Sequence, residues 1–306
     1  MYLRPVHSDL DPQVCHDFVK ANPLGLLITH LPTSDPSTAP IQASHIPFVI
    51  DAPPNGFESA AGSLRGVLRG HIARANPQVK AMISATIAAP ASAGLLSSAT
   101  SYLLGPSQPS TPADTLSEDV LVIFTSPTHS YVTPTFYTTT KPDTHKVVPT
   151  WDYAAVQVYG KLRLYNKGEE AGAFLQRQVE DLTRMEEAKM QEKCPALEGW
   201  SVDMAPKSYV ELLKKGIVGV EIEISRIEGK FKMSQENEQG DWEGVVDGFK
   251  SLGTEDGRRM AEAVEDRGKD RVRESKPDNV VGEEIVQKGD GTDHELSSGS
   301  LEQAKA

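Results

Sequence analysis

Four short strings hold the residues that could do chemistry. In "RGHIARANPQVK", residues 69–80, a strand-like run gives way to the start of a helix at Asn76 and Pro77. Asparagine is a preferred N-cap, and proline at the first helical position has the φ that a first turn adopts. Free N–H groups at a helix start attract anions. Arg74 adds a fork of donors two residues earlier, and Lys80 follows one turn on. That set fits a phosphate monoester. A capped helix with a solvated arginine describes the same residues equally well. Neither a Walker loop nor a GxGxxG motif accompanies them, which speaks against a nucleoside triphosphate or a Rossmann dinucleotide.

In the second string, "ASHIPFVID", Ser44 and His45 precede Pro47, which cannot donate to a sheet ladder and so marks an edge or a bulge. An edge with unpaired backbone groups can hydrogen-bond a flat heterocycle, although a proline-ended edge with a satisfied histidine is the plainer reading. The third, "VVPTWDYAAVQVYGKL", sets Trp151 and Tyr153 beside a proline turn. Two aromatic rings suit a solvated turn poorly unless a ligand or another subunit covers them. The fourth, "GKFKMSQ", places Lys230 and Lys232 on one strand face and ends at Ser234; a solvated lysine face is the plainer reading here. His45, His71, His129 and Tyr131 are candidate proton donors. Each lone histidine reads first as structural, because no carboxylate stands at an orienting spacing, and no catalytic residue is assigned.

The elements that must position these strings are mostly strands. "GLLITH", "ASHIPFVID", "LRGVLRGHIAR", "VLVIFTS", "SYVTPTFY", "VQVYGKLRLY" and "IVGVEIEISRIEGKFKMS" are rich in β-branched and aromatic residues and bounded by turns. "VEIEISRIEGKF" alternates apolar and polar residues, as a strand with one wet face should. Three helices are legible besides the start at Pro77. "DPQVCHDFVKAN" has Asp11 as N-cap and Pro12 at N1; "GEEAGAFLQRQVEDLTRMEEAKMQ" carries an apolar stripe through Ala171, Phe174 and Leu175; "APKSYVELLKKG" ends at Gly216. Many strands with few helices between them predict an antiparallel barrel rather than a βαβ sheet.

Two regions read as soft. Residues 85–119 are dominated by Ala, Ser, Thr and Pro and predict a surface insertion; residues 31–40 predict a long hairpin loop. Aromatic residues stop at Phe249, and residues 250–306 hold ten basic and fourteen acidic side chains with few aliphatic clusters. That predicts a disordered, charged tail with at most a transient helix, and a barrel domain spanning residues 1–249.

The net charge of −12 disfavours direct binding to nucleic acid or to an anionic membrane. No helix-turn-helix pattern or basic stripe is legible. Two cysteines without CxxC spacing disfavour a zinc site or a disulfide framework, and scattered histidines without CxxCH disfavour haem. No apolar run is long enough to span a bilayer, and the polar N-terminus lacks a signal-peptide core. The expectation is a reduced, cytoplasmic protein, with the nucleus left open.

Taken together, the strings resemble the PaiB family of FMN-binding split-barrel proteins, known as negative transcriptional regulators. The likeness runs from "MYLRPVH" through "NPLGLLIT", "ASHIPF", "GHIARANPQ", "SYVTPTFY" and "VVPTWDYAAVQVYGKL" to "IVGVEIEISRIEGKFKMSQ", in family order. It implies a mainly β fold, an antiparallel split β-barrel with flanking helices, that forms a homodimer and binds FMN at the subunit interface. By the same resemblance, Arg74 and Asn76 hold the phosphate, and Ser44, His45, Ile46 and Pro47 line the isoalloxazine ring. His71 and Ala73 lie beneath the ribityl chain. Thr150 and Trp151 approach from the partner subunit, with Lys232, Ser234 and Gln235 as further contacts. The family commonly has asparagine where this chain has Asp152. The implied function is a flavin-dependent regulator or sensor acting through a protein partner; an FMN-dependent oxidoreductase using NAD(P)H is the alternative.

Overall fold

Alternating apolar residues wind the longer strands into one closed sheet. The computed structural model describes residues 1–32, 39–54, 56–57, 65–88 and 114–269. Among the described residues there are eight strands: β1 (Ser8–Asp9), β2 (Leu24–His30), β3 (Ile41–Asp51), β4 (Val67–Ala73), β5 (Thr115–Thr125), β6 (Ser130–Val132), β7 (Thr150–Tyr165) and β8 (Ile217–Lys232). Six of them form an antiparallel barrel in the order β8–β4–β3–β2–β5–β7, closed by a long β7–β8 ladder from Tyr153↔Lys232 to Tyr165↔Gly219. β1 adds to the edge of β8 and β6 to β7.

The barrel interior is filled from all sides. Val218, Val220, Ile222 and Ile224 of β8 are fully buried, while Glu221 and Glu223 between them face outward, as the alternation predicts. Across the interior, Phe48 and Phe124 meet edge to face with ring centroids 5.8 Å apart. Strands β7 and β8 change register between Tyr159 and Gly160, where a Cβ on Gly160 would strike the Glu223 carbonyl, so the bulge requires glycine.

Helices α1 (Pro12–Ala21), α2 (Pro77–Ala88), α3 (Thr140–Thr144), α4 (Gly168–Lys193), α5 (Lys207–Lys214), α6 (Gln239–Ser251) and α7 (Glu255–Gly268) surround it. α1 begins as its sequence predicts: the Asp11 carboxylate accepts the Gln13 N–H at 2.8 Å, with Pro12 at N1. α4 is pinned to the barrel wall by Arg69, whose side chain is 2% exposed. It donates to Asp51 (2.5 and 3.1 Å), to Asp181 of α4 (2.9 Å) and to Gln178 of α4 (3.3 Å).

Three expectations shift. "SYVTPTFY" is a strand only as far as Val132, because Pro134 opens a 3-10 turn capped by Thr133. The insertion is shorter at both ends, since α2 runs to Ala88 and β5 begins at Thr115; the expected loop between, 89–113, lies outside the described residues, as does 33–38. The tail does not begin at residue 250. α6 continues to Ser251, and α7 buries Met260, Ala261 and Val264. Few apolar residues sufficed because helical spacing gathers them on one face, against α6, while averaging over the segment hid them. The rest of the expected tail, 270–306, lies outside the described residues. Among the described residues no helix is long and apolar enough to cross a membrane.

Candidate functional site

The barrel's ladders differ in length: β2 and β5 share three pairs, Leu26↔Ile123 to Ile28↔Leu121, and β3 and β4 share four. β3 and β4 pair only from Phe48↔Gly70 to Asp51↔Val67. Beyond that point the strands part. Ser44–Pro47 keep β2 on their far edge, and His71–Ala73 keep β8 on theirs, but no ladder joins the two segments to each other. Pro47 stands at the parting and has no N–H to offer across it. β4 then turns, with the Asn76 N–H bonded to the Ala73 carbonyl at 2.9 Å, and enters α2. Two backbone edges thus face each other unlaced for several residues.

Asn76 closes the mouth of this seam. Its Oδ1 accepts the Gln78 N–H at 2.9 Å, the N-cap its sequence position predicts, and its Nδ2 donates to Ser44 Oγ at 3.0 Å. His45 and Ala73 are exposed, Pro47 and His71 are half-buried, and the Ile46 side chain enters the core while its backbone pairs with Gly25 of β2. Burial lowers the pKa of His71, which keeps it neutral near pH 7. Its Nδ1 is buried without a hydrogen-bond partner among the described residues. Gln78, which sequence reasoning passed over, seats α2 on the barrel end by donating to the Leu27 carbonyl, Thr29 Oγ1 and the Gln42 carbonyl at 3.0–3.2 Å.

Arg74 has a task inside the protein. Nε donates to the Lys215 carbonyl (3.0 Å), Nη1 to Asn166 Oδ1, and Nη2 to the Asn166 and Ile217 carbonyls (3.0 and 3.1 Å). It ties the β7–α4 and α5–β8 connections to the end of β4 and leaves one Nη1 hydrogen for an outside acceptor. Lys80 is exposed nearby on the first turn of α2.

The remaining candidates stand elsewhere. Ala73 pairs with Ile217 at the start of β8, whereas Lys232 at its end pairs with Tyr153. That is roughly 50 Å of strand contour between them at 3.3 Å per residue. Thr150, Trp151, Lys232, Ser234 and Gln235 therefore gather at the opposite end of the barrel from the seam. Trp151 is 49% exposed, lies opposite Tyr131 in the β6–β7 ladder, and has the His129 ring 5.9 Å away at a 33° tilt.

The next residue, Asp152, points the other way and is fully buried. It accepts from Ser234 Oγ at 2.7 Å and from Lys232 Nζ at 3.4 Å. Lys232 is also 3.3 Å from Glu236, whose second oxygen lies 3.1 Å from His7 Nε2. Burial pushes the Asp152 carboxyl up to about 6 despite the Ser234 bond and the Lys232 charge. Burial works on Glu236 in the same sense, yet the His7 bond and Lys232 overcome it and hold that carboxyl at about 2. Ser234 has φ of 57°, a left-handed conformation that a non-glycine residue adopts at a cost. Gln235 bonds within the chain, accepting from the Met233 N–H at 2.6 Å and donating to the Val6 carbonyl at 2.9 Å. His7 and Glu236 were invisible as site residues in the sequence, being far apart in it and marked by no motif.

Chemically, the seam suits a flat ring with hydrogen-bonding edges followed by a polyol and an anionic tail. Backbone groups could pair with the ring, the unpartnered His71 Nδ1 with a hydroxyl, and the α2 start with Lys80 could face the anion. The family described as "Putative FMN-binding domain" matches residues 1–226. The chain is 48% identical over 271 residues to an uncharacterized protein of Emericella nidulans, covering 88% of this chain and 98% of that one. It is 33% identical over 156 residues to the protease synthase and sporulation protein PAI 2 of Bacillus subtilis, covering 51% of this chain and 66% of PAI 2. Among solved structures, the flavocytochrome Anf3 from Azotobacter vinelandii superposes with a TM-score of 0.38 at 9% identity, covering 76% of this chain and 72% of that one. With a family match over most of its length, the chain belongs to this FMN-binding family, the PaiB-type split barrels, and FMN is its cofactor.

Proposed function

We propose that the protein is a flavin-dependent regulator or sensor, a homodimer that seats FMN where β3 and β4 part. The observation that carries the reading is the unlaced seam between Ser44–Pro47 and His71–Ala73. The backbone edge of β3 would hold the ring, and His71 Nδ1 the ribityl chain. Asn76, the α2 start, Lys80 and the last Arg74 hydrogen would hold the phosphate. FMN supplies one- and two-electron redox chemistry and visible absorbance when bound. The half-exposed Trp151, at the far end of its own barrel, would reach the seam of a second copy; an isologous pair makes two such contacts at once.

A regulatory role is supported by the name of PAI 2, which connects that relative with sporulation. With a charge of −12 the protein would act through a protein partner or through the redox state of its flavin rather than by gripping DNA. Oxidoreductase activity is the second reading, favoured by the exposed His45 and neutral His71 beside the seam.

Mixing two defective variants tests the shared site. Asn76→Ala damages the seam and Trp151→Ala the opposing face, so each homodimer should hold FMN poorly. Co-expressed, half the dimers are mixed and each has one intact site, so about one site in four should return. No recovery would rule out sharing between copies. FMN-dependent consumption of NADH or NADPH by the yellow protein would move the conclusion to the enzyme.

A further inference from the structure

His129 just before β6, Tyr131 of β6 and Trp151 at the head of β7 stand together, yet β6 pairs on one side only among the described residues. The connection that follows β6, residues 133–149, is held in place by a helix outside the family match, which ends at residue 226. α6 does this in two ways. Asp241, 5% exposed, accepts the Thr139 N–H at 2.8 Å and the Thr140 N–H at 3.1 and 3.3 Å, while the Gly240 carbonyl accepts from Thr138 Oγ1 at 2.7 Å. Burial opposes the Asp241 charge, but those bonds outweigh it and keep the carboxyl below its usual range. The second hold is steric. Gly240, Gly244 and Gly248 recur at four-residue spacing on one helix face, and a Cβ on them would run into Thr139 Oγ1, the Phe136 carbonyl and the Phe136 ring respectively. The Phe136 ring packs edge-on against Phe249 at 5.4 Å.

We infer that Asp241 and the glycine face of α6 are positioning residues for the flavin site of the other subunit. By fixing residues 136–140 they preset the His129–Tyr131–Trp151 face, so that a second copy meets it already formed. This rests on the shared-site reading above. A preset face lowers the ordering cost of closing the site, and its loss is expected in FMN affinity rather than in the chemistry of the seam.

The variants are Asp241→Ala and, should that one fold poorly, Gly248→Ala, which displaces Phe136 instead of removing a carboxylate. FMN affinity, followed by flavin fluorescence, is expected to fall roughly tenfold in either. The decisive readout is the pattern of rescue. Asp241→Ala co-expressed with Asn76→Ala should regain about one tight site in four, because their defects lie on opposite sides of each shared site. Co-expressed with Trp151→Ala it should regain none, because both defects damage the same face. A residue that merely stabilises the fold has no reason to choose between these partners. Unchanged FMN affinity, or rescue by Trp151→Ala but not by Asn76→Ala, overturns the inference. If Asn76→Ala and Trp151→Ala fail to rescue each other, the shared site itself falls and this inference falls with it.

Discussion

Asp152 and Glu236 share one ammonium group, yet folding moves their protons in opposite directions. The folded chain holds the Asp152 proton up to about pH 6 against an ordinary 3.8, so folding takes up a proton in that window and stability falls as pH rises through it. Above the window the cost is complete, about 3 kcal/mol at 1.36 kcal/mol per unit. Asp152→Asn is therefore expected to melt above wild type at pH 7.5 and to lose that advantage by pH 4. Thermal melts at the two values decide it, and an equal or lower melting point at pH 7.5 contradicts it. Glu236 behaves conversely: its carboxyl is held at about 2 against 4.5, so its stabilisation is present above about pH 4.5 and disappears as pH falls toward 2. Glu236→Gln should cost about 3 kcal/mol at pH 7 and far less at pH 2.5, read from urea midpoints. At this scale the sequence showed much of one side. The Asn76 cap is where its residue type places it, and Ser44 is its neighbour. The Arg74 bonds were not legible, because the Asn166 and Lys215 groups it meets lie 92 and 141 residues away and no pattern marks them.

Among the elements, strands were the most legible, since burial on one face writes a period of two into the sequence. Where they part was legible in part: Pro47 marked an edge or a bulge, but the alternation of Ser44–Pro47 is the same whichever neighbour is missing. α7 was lost in its own charge. Its docking is expected to make Met260→Ala cost about 2–3 kcal/mol in a denaturant titration, as for a buried side chain, whereas a transient helix would leave stability unchanged. The fastening of α4 makes a sharper case. Replacing Arg69 with methionine leaves Asp51, Asp181 and Gln178 without their shared donor and should cost roughly 3 kcal/mol, although the substitution adds apolar surface to a buried position. A neutral result would mean that the pair Arg177 and Arg184, both already within reach of Asp181, can take over the charge.

For the whole molecule, the proposed sharing of one site between two copies would couple ligand binding to association. FMN is then expected to tighten the dimer and the dimer to tighten FMN by the same factor. Sedimentation with and without FMN checks this, and an FMN affinity independent of protein concentration across the dimer dissociation range would refute it. The family resemblance gave the barrel and the cofactor, while α6 lies past its reach and had to be seen in place. One consequence follows from the parting of β3 and β4. The amide protons of Ser44–Ile46 and His71–Ala73 that point across the seam have no rung to protect them, so in deuterated water they should be replaced sooner than those of the β7–β8 ladder. The barrel carries its own slow clock beside a fast one, and a molecule settling into the seam would be timed by how far the fast one lags.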